Sequence, residues 1–208
     1  MVSLHVSTIQ RYSTKDGPGI RSTVFLIGCN LRCVWCSNPE LMLPGDKLLH
    51  FSSLCRKCQS CVRAYPDAVY MQDGELHMHK TAQLRSCELE EICPYDALEH
   101  TGMQVDPVTL VEQLLKDRIF YEESAGGVTF SGGEPLLQAE ALYDALYLLK
   151  QKGISVCVDT AGDVEWKVME KVASQCDLFL YDIKAYDNSV HQRITGVGNA
   201  RILDNARK

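Results

Sequence analysis

Residues 22–36 read STVFLIGCNLRCVWC. After Ser22 the run is apolar or β-branched and stops at Gly28, which predicts a short buried strand over 22–27. The loop that follows carries Cys29, Cys33 and Cys36 in the spacing Cys-x3-Cys-x2-Cys. A structural zinc site needs four ligands, so three thiolates alone do not close one. They can hold three irons of a [4Fe–4S] cube and leave the fourth iron open, whereas electron-transfer clusters use four cysteines. A zinc reading needs a further donor, such as His50 or Cys55.

Downstream, residues 128–131, 154–159 and 178–183 repeat the short apolar pattern, with helical faces between them. Asp106 is a predicted N-cap with Pro107 at the first helical position, and Val108, Val111, Leu115 and Ile119 recur at helical spacing. Leu142, Ala145, Leu146 and Leu149 predict a second helical face, ended by Gly153. A third helix is expected over 164–174, with Val168, Met169 and Val172 inward. Alternating strands and helices predict an α/β fold with a parallel sheet and right-handed crossovers. Ligands of such folds bind beyond the carboxyl ends of the strands. Those ends are followed here by Cys29, by Gly132-Gly133-Glu134, by Asp159-Thr160, and by Asp182 and Lys184, which predicts one shared site.

The 208 residues carry 21 Lys+Arg against 27 Asp+Glu, a net charge of −6, which offers no footprint for nucleic acid or an anionic membrane. The longest uninterrupted apolar run, 145–149, is far too short to span a bilayer. No secretory signal is visible, so a reducing cytoplasmic setting is expected, where clustered cysteines read as metal ligands or catalytic groups. Of ten cysteines, Cys157 and Cys176 stand apart in apolar surroundings and read as core. Residues 45–102 hold Cys55, Cys58, Cys61, Cys87 and Cys93 but no long periodic apolar segment. They predict a small insert held by metal rather than by a core, dividing a domain made of 1–44 and 103–208.

The stretch CNLRCVWC (29–36) resembles the cluster motif of radical S-adenosylmethionine (SAM) enzymes. The flanking DGPGIRSTVFLIGC (16–29), SNPE (37–40), SGGEP (131–135), VDTAG (158–162), YDIK (181–184) and TGVGNARILDN (195–205) narrow the resemblance to the glycyl-radical-enzyme activating enzymes, the group that includes pyruvate formate-lyase activating enzyme. Within that group the chain is most similar to members with a ferredoxin-like insert. The resemblance implies a partial (β/α) barrel of the radical SAM type. That fold has six βα units; the four strands counted before Lys208 make the chain read as C-terminally incomplete, with an apolar edge near 178–183.

By that resemblance, Cys29, Cys33 and Cys36 ligate a [4Fe–4S] cluster whose open iron takes the amino and carboxylate groups of SAM. Trp35, Cys36 and Ser37 lie near the cofactor, with Trp35 by the adenine. Gly132 and Gly133 let the backbone approach the methionine, and Glu134 receives its ammonium. Asp182, Ile183 and Lys184 bind the ribose and carboxylate side. Asp159 and Thr160 coordinate a monovalent cation, and Asp16 faces the incoming polypeptide. Blander readings stand beside each of these: a packed loop aromatic for Trp35, a glycine turn for 132–134, a solvated ion pair for Asp182 and Lys184, an N-cap for Asp159 or Thr160, and an Asp-Gly turn for Asp16. The implied reaction is one-electron cleavage of SAM to methionine and a 5′-deoxyadenosyl radical, which takes hydrogen from a backbone glycine of a partner enzyme. Flavodoxin or ferredoxin is the expected electron donor, and a monomer is expected. The alternatives are a radical SAM enzyme with another substrate, or an iron–sulfur electron carrier or zinc module.

Two-cluster ferredoxin modules repeat C-x2-C-x2-C-x3-C-P, and the fourth cysteine of each motif serves the other cluster. Cys55, Cys58 and Cys61 begin such a motif, but its fourth position is Tyr65; the second motif keeps only Cys93, before Pro94, with Cys87 off register. Exchanging fourth positions leaves one full set, Cys55, Cys58, Cys61 and Cys93, which predicts a single auxiliary [4Fe–4S] cluster. A four-thiolate zinc site with the same ligands is the alternative.

Overall fold

A computed structural model of the chain describes residues 2–208. Its strands, in chain order, are β1 (Leu4–Ser13), β2 (Arg21–Leu26), β3 (Lys47–His50), β4 (Val69–Gln72), β5 (Glu75–Met78), β6 (Leu98–Thr101), β7 (Met103–Val105), β8 (Gly127–Gly132), β9 (Ser155–Thr160) and β10 (Leu178–Tyr181). Its α-helices are α1 (Ser60–Ala64), α2 (Ser86–Glu91), α3 (Pro107–Leu114), α4 (Arg118–Ser124), α5 (Ala139–Gln151), α6 (Trp166–Ala173), α7 (Asn188–Thr195) and α8 (Ala200–Asn205). The chain divides into two compact units, one made of 1–44 with 103–208 and the other of 45–102.

The larger unit is built on one six-stranded sheet in the order β10-β9-β8-β2-β1-β7. The four strands from β10 to β2 are parallel, and β1 and β7 add antiparallel at one side. The sheet is open, not a closed barrel, and β10 forms one edge, with Leu178 41% exposed. Its core joins Val24, Leu26, Val128, Phe130, Val156 and Val158 of the strands to the faces of α3, α5 and α6. In α5 the buried residues include Leu142, Ala145, Leu146 and Leu149, the face read from the sequence. Asp106 caps α3 by accepting from the backbone N–H of Val108 and Thr109, with Pro107 at the first position.

The α3 register differs from expectation. Leu110, Val111 and Leu114 are buried, while Val108 is 53% and Ile119 63% exposed. The helix ends at Leu114, and a 3-10 turn over Leu115–Asp117 shifts the phase before α4 begins. The inward face of α3 thus runs through Leu110, Val111 and Leu114 and leaves Val108 out, and the turn breaks the period before Ile119.

At the centre of the larger unit lies Arg21, fully buried, donating to Thr129 Oγ1 (2.7 Å) and to the carbonyls of Val128 (2.7 Å), Pro18 (3.1 Å) and Ser155 (3.1 Å). Thr129 in turn donates to the Asp16 carbonyl (2.6 Å). The segment between β1 and β2 is thereby fastened to β8.

The smaller unit contains two antiparallel pairs, β3 with β6 and β4 with β5. Leu48, Ala68, Val69, Ala82, Leu89 and Leu98 form a hydrophobic core of their own, with Cys61, Tyr65 and Cys93 packed on it. This corrects the expectation of an insert held by metal instead of a core. Its apolar residues are dispersed among four-residue strands and short helices, where no long period can develop.

Candidate functional site

The carboxyl ends of β2, β8, β9 and β10 open into one cavity of about 100 Å³. It is lined by Cys29, Leu31, Cys33 and Cys36, by Ser131 through Glu134, by Asp159 through Ala161, and by Asp182 and Lys184. Four loops far apart in sequence thus contribute to one site, as parallel sheets arrange.

Backbone hydrogen bonds fasten the cysteine loop at its start and at its middle. Gly28 and Cys29 N–H donate to the carbonyls of Leu41 (2.7 Å) and Met42 (3.0 Å); Arg32 and Val34 N–H donate to those of Thr195 (2.7 Å) and Ile194 (3.0 Å). Asn30 Nδ2 adds a bond to the Asp163 carbonyl (2.7 Å). The motif at 195–205 had no task in the sequence; its first residue, Thr195, supplies one of the two carbonyls at the end of α7 that hold the cysteine loop. Burial pushes the Cys29 thiol up, and neighbouring Glu134, Cys33 and Cys36 add to the rise. Burial raises Cys33 as well, against the opposing charge of Lys184.

Glu134 is 1% exposed. Its carboxylate accepts from Thr160 Oγ1 (2.6 Å), Ala161 N–H (3.0 Å) and Leu136 N–H (3.1 Å), the last capping the turn that follows. Despite these donors, burial lifts its pKa to about 7. A buried carboxyl so raised fits a cationic ligand, which would restore the ionised form.

Thr160 has a task beside the expected one. Its hydroxyl donates to Glu134 and accepts from Gly162 N–H (2.9 Å), and its carbonyl accepts from Asp182 N–H (2.9 Å). These bonds position Glu134 and leave a lone pair on each Thr160 oxygen. Asp159 accepts from Ser131 Oγ (2.7 Å); burial foremost raises its carboxyl, with Asp182 and Asp16 adding to the effect. Neither residue caps α6, whose N-cap is Glu165. Burial disfavours the charge on Lys184, but its pairing with Asp182, with Cys33 and Asp159 nearby, holds its pKa above the ordinary value.

The glycines carry a packing reason beside the expected one. A Cβ on Gly133 would stand 2.2 Å from the Gly28 carbonyl oxygen, and one on Gly132 would stand 2.4 Å from the Leu26 nitrogen. Gly132 has φ +107° as well. The missing side chains make room for β2 and the start of the cysteine loop, before any ligand is considered.

Trp35 is 51% and Ile183 44% exposed, Ser37 is exposed too, and none of the three lines the cavity. Asp16 lies outside the lining, its carboxylate accepting from Ser13 Oγ (2.6 Å) and Thr23 Oγ1 (2.7 Å). Ser131 and Leu31 are lining residues that sequence reading did not assign. Ser131 had a usable signal, since it precedes Gly132 at the strand end.

In the smaller unit, Cys55, Cys58, Cys61 and Cys93 line one tight cavity of about 20 Å³, together with His50, Met71, Leu76 and Leu98. Cys87 is exposed and lies outside it. Burial raises the Cys61 thiol, and the Ser60 hydroxyl lowers Cys58. Among the described residues no three His, Cys, Asp or Glu are arranged around a single-ion position.

The radical SAM superfamily model matches residues 23–208. A choline trimethylamine-lyase activating enzyme of Oleidesulfovibrio alaskensis is 42% identical over 204 residues, covering 96% of this chain and 66% of that protein. A trans-4-hydroxy-L-proline dehydratase activating enzyme of Clostridioides difficile is 41% identical over 204 residues, covering 97% and 68%. A pyruvate formate-lyase 2-activating enzyme of Escherichia coli is 34% identical over 202 residues, covering 97% and 61%. The chain spans about two thirds of the length of these relatives. Among the described residues, no helix is long and apolar enough to cross a membrane.

Proposed function

This chain belongs to the radical SAM superfamily, in its group of glycyl-radical-enzyme activating enzymes, and from that premise we propose that it carries the SAM-cleaving site of such an activase. When bound, a [4Fe–4S] cluster and SAM supply one-electron cleavage of the sulfonium and a 5′-deoxyadenosyl radical that takes hydrogen from a backbone glycine of the partner enzyme. The observation that carries the reading is the single cavity shared by three thiols and a buried carboxyl.

Cys29, Cys33 and Cys36 would hold the cluster, leaving one iron for the amino and carboxylate groups of SAM. Glu134 would take the ammonium on the lone pair its three donors leave free. Thr160 would hold Glu134 in place. Asp182 and Lys184 would meet the ribose and carboxylate side, and Asp159 with Thr160 would hold a monovalent cation. Few acids or bases are needed, because the cofactor supplies the chemistry and the protein supplies position and dryness. Trp35, Ser37 and Ile183 would reach the cofactor only at the mouth of the site, and Asp16 would act through the segment it fixes. A cytoplasmic monomer served by flavodoxin or ferredoxin completes the reading.

The four thiols of the smaller unit would hold one auxiliary [4Fe–4S] cluster. Support comes from their shared cavity, from the exclusion of Cys87, and from what fills the other register. Counting C-x2-C-x2-C-x3-C back from Cys93 gives positions 83, 86 and 89, and exchange adds Tyr65. Leu89 is fully buried in the hydrophobic core, on which Tyr65 packs. Ser86 hydrogen-bonds His100 Nδ1 (2.6 Å), and Gln83 Oε1 accepts from Leu48 N–H (2.7 Å). Packing and hydrogen bonds occupy the positions of a second set of ligands.

Anaerobically reconstituted protein should change the EPR spectrum of its reduced cluster when SAM is added. With dithionite it should release 5′-deoxyadenosine and methionine. Cluster-loaded protein that does neither would favour an electron carrier instead.

A further inference from the structure

Among the described residues, three buried side-chain atoms have no hydrogen-bond partner: Asn30 Oδ1, His50 Nε2 and His191 Nε2. Of the three residues, only His50 lines a cavity walled by cysteines, the one bounded by Cys55, Cys58, Cys61 and Cys93. His50 ends β3, where its backbone pairs with Leu98 of β6. Strand register therefore fixes it in the cavity wall. Buried polar groups are almost always satisfied, so an unpaired ring nitrogen beside four thiols marks a partner that belongs in the cavity.

The thiolates and sulfides of an iron–sulfur cluster are such partners, and hydrogen bonds to the sulfurs are one determinant of cluster potential. We propose that His50 donates its Nε2–H to a sulfur of the cluster held by Cys55, Cys58, Cys61 and Cys93, and thereby raises its reduction potential. The proposal rests on the auxiliary-cluster reading. Cysteine completes the ligand set, so His50 acts on the metal through sulfur and is not a ligand. A donor to sulfur favours the reduced cluster, which carries the greater negative charge.

The experiment is an EPR-monitored redox titration in the Cys33→Ala background of the full chain, where the remaining iron, about four per chain, reports the smaller unit alone. His50→Leu should keep that iron but lower the reduced-to-oxidised ratio about tenfold at a fixed potential, which is about 59 mV for a one-electron couple. His50→Gln, which keeps an N–H donor, should stay near the parent. An unchanged potential in His50→Leu overturns the proposal, and loss of iron in His50→Leu overturns it in favour of a ligand role. A Cys33→Ala parent that binds no iron overturns the cluster reading itself, and the proposal with it.

Discussion

Cys29, Cys33 and Cys36 sit in a loop whose backbone is tied at its start to Leu41 and Met42 and at its middle to the end of α7, beside a cavity with polar walls. Cys55, Cys58, Cys61 and Cys93 sit instead around a tight space of about 20 Å³, against a small apolar core. On the proposed reading, the first site would receive an organic cation as well as metal, and the second would hold metal by its own sulfurs alone. The number of thiols would decide between an open iron and a closed one, and their surroundings would decide what the open iron can meet.

The sharpest break between the two sites should come from Cys33→Ala. Two remaining thiols cannot hold an open cube, so SAM cleavage should vanish and iron should fall from about eight to about four per chain. Iron analysis with product chromatography checks both, and full retention of either would undo the ligand assignment.

Gly133→Val should be next in size. Because the new side chain would strike the Gly28 carbonyl, the expected loss is several kcal/mol of stability. Cluster absorbance and SAM binding should disappear together, along with a lowered melting temperature. A variant that keeps its absorbance and melts normally would return the glycine to a role in ligand approach alone.

Leu89→Ala tests the core that stands where a second cluster would be. Its cost should be about 2–5 kcal/mol, confined to the smaller unit. Hydrogen exchange should speed up in β3 to β6 and stay unchanged in β8 and β9. Exchange rising equally in both units would show that they do not unfold separately.

A smaller effect concerns pH. Glu134 has a folded pKa of about 7 against an ordinary 4.5, so its proton is held more tightly in the folded state. Its stabilising contribution is complete below about pH 4.5 and is lost as pH rises to about 7, by about 3 kcal/mol. Unfolding of the ligand-free protein at pH 5 and pH 8 should show this loss, and Glu134→Gln should flatten it. A parent equally stable at both values would mean that the carboxylate is well accommodated when ionised. The smallest effect belongs to Cys87→Ser, which should leave iron near eight per chain, while Cys93→Ser brings it to about four.

Much of the larger unit was legible because the parallel strands β2, β8 and β9 are largely buried and read, like the edge strand β10, as short apolar runs ended by glycine or acid. The Asp106 cap and the α5 face were equally plain. β1 was missed because LHVSTIQRYS buries little beyond Leu4 and Val6 before it turns polar and exposed. The break in helical phase at Leu115 leaves no mark in composition. At the site, the four strand ends announced which loops would meet. They did not reveal that Glu134 would be committed to Thr160 and Ala161, since those bonds depend on how β8 and β9 align. Nor could the sequence show that Gly133 answers to Gly28 across a strand pair.

The tether between the cysteine loop and the end of α7 has a consequence in time. On a ribosome the three thiols appear within the first 36 residues, but the carbonyls of Ile194 and Thr195 arrive about 160 residues later. At 5–20 residues per second that delay is roughly 8–30 s. Throughout it the loop lacks half of its backbone partners, and its thiols stand open to oxidation and to stray metals. Synthesis in the absence of oxygen, or a chaperone that shields the nascent chain, would protect this protein during those seconds more than at any later stage of its life.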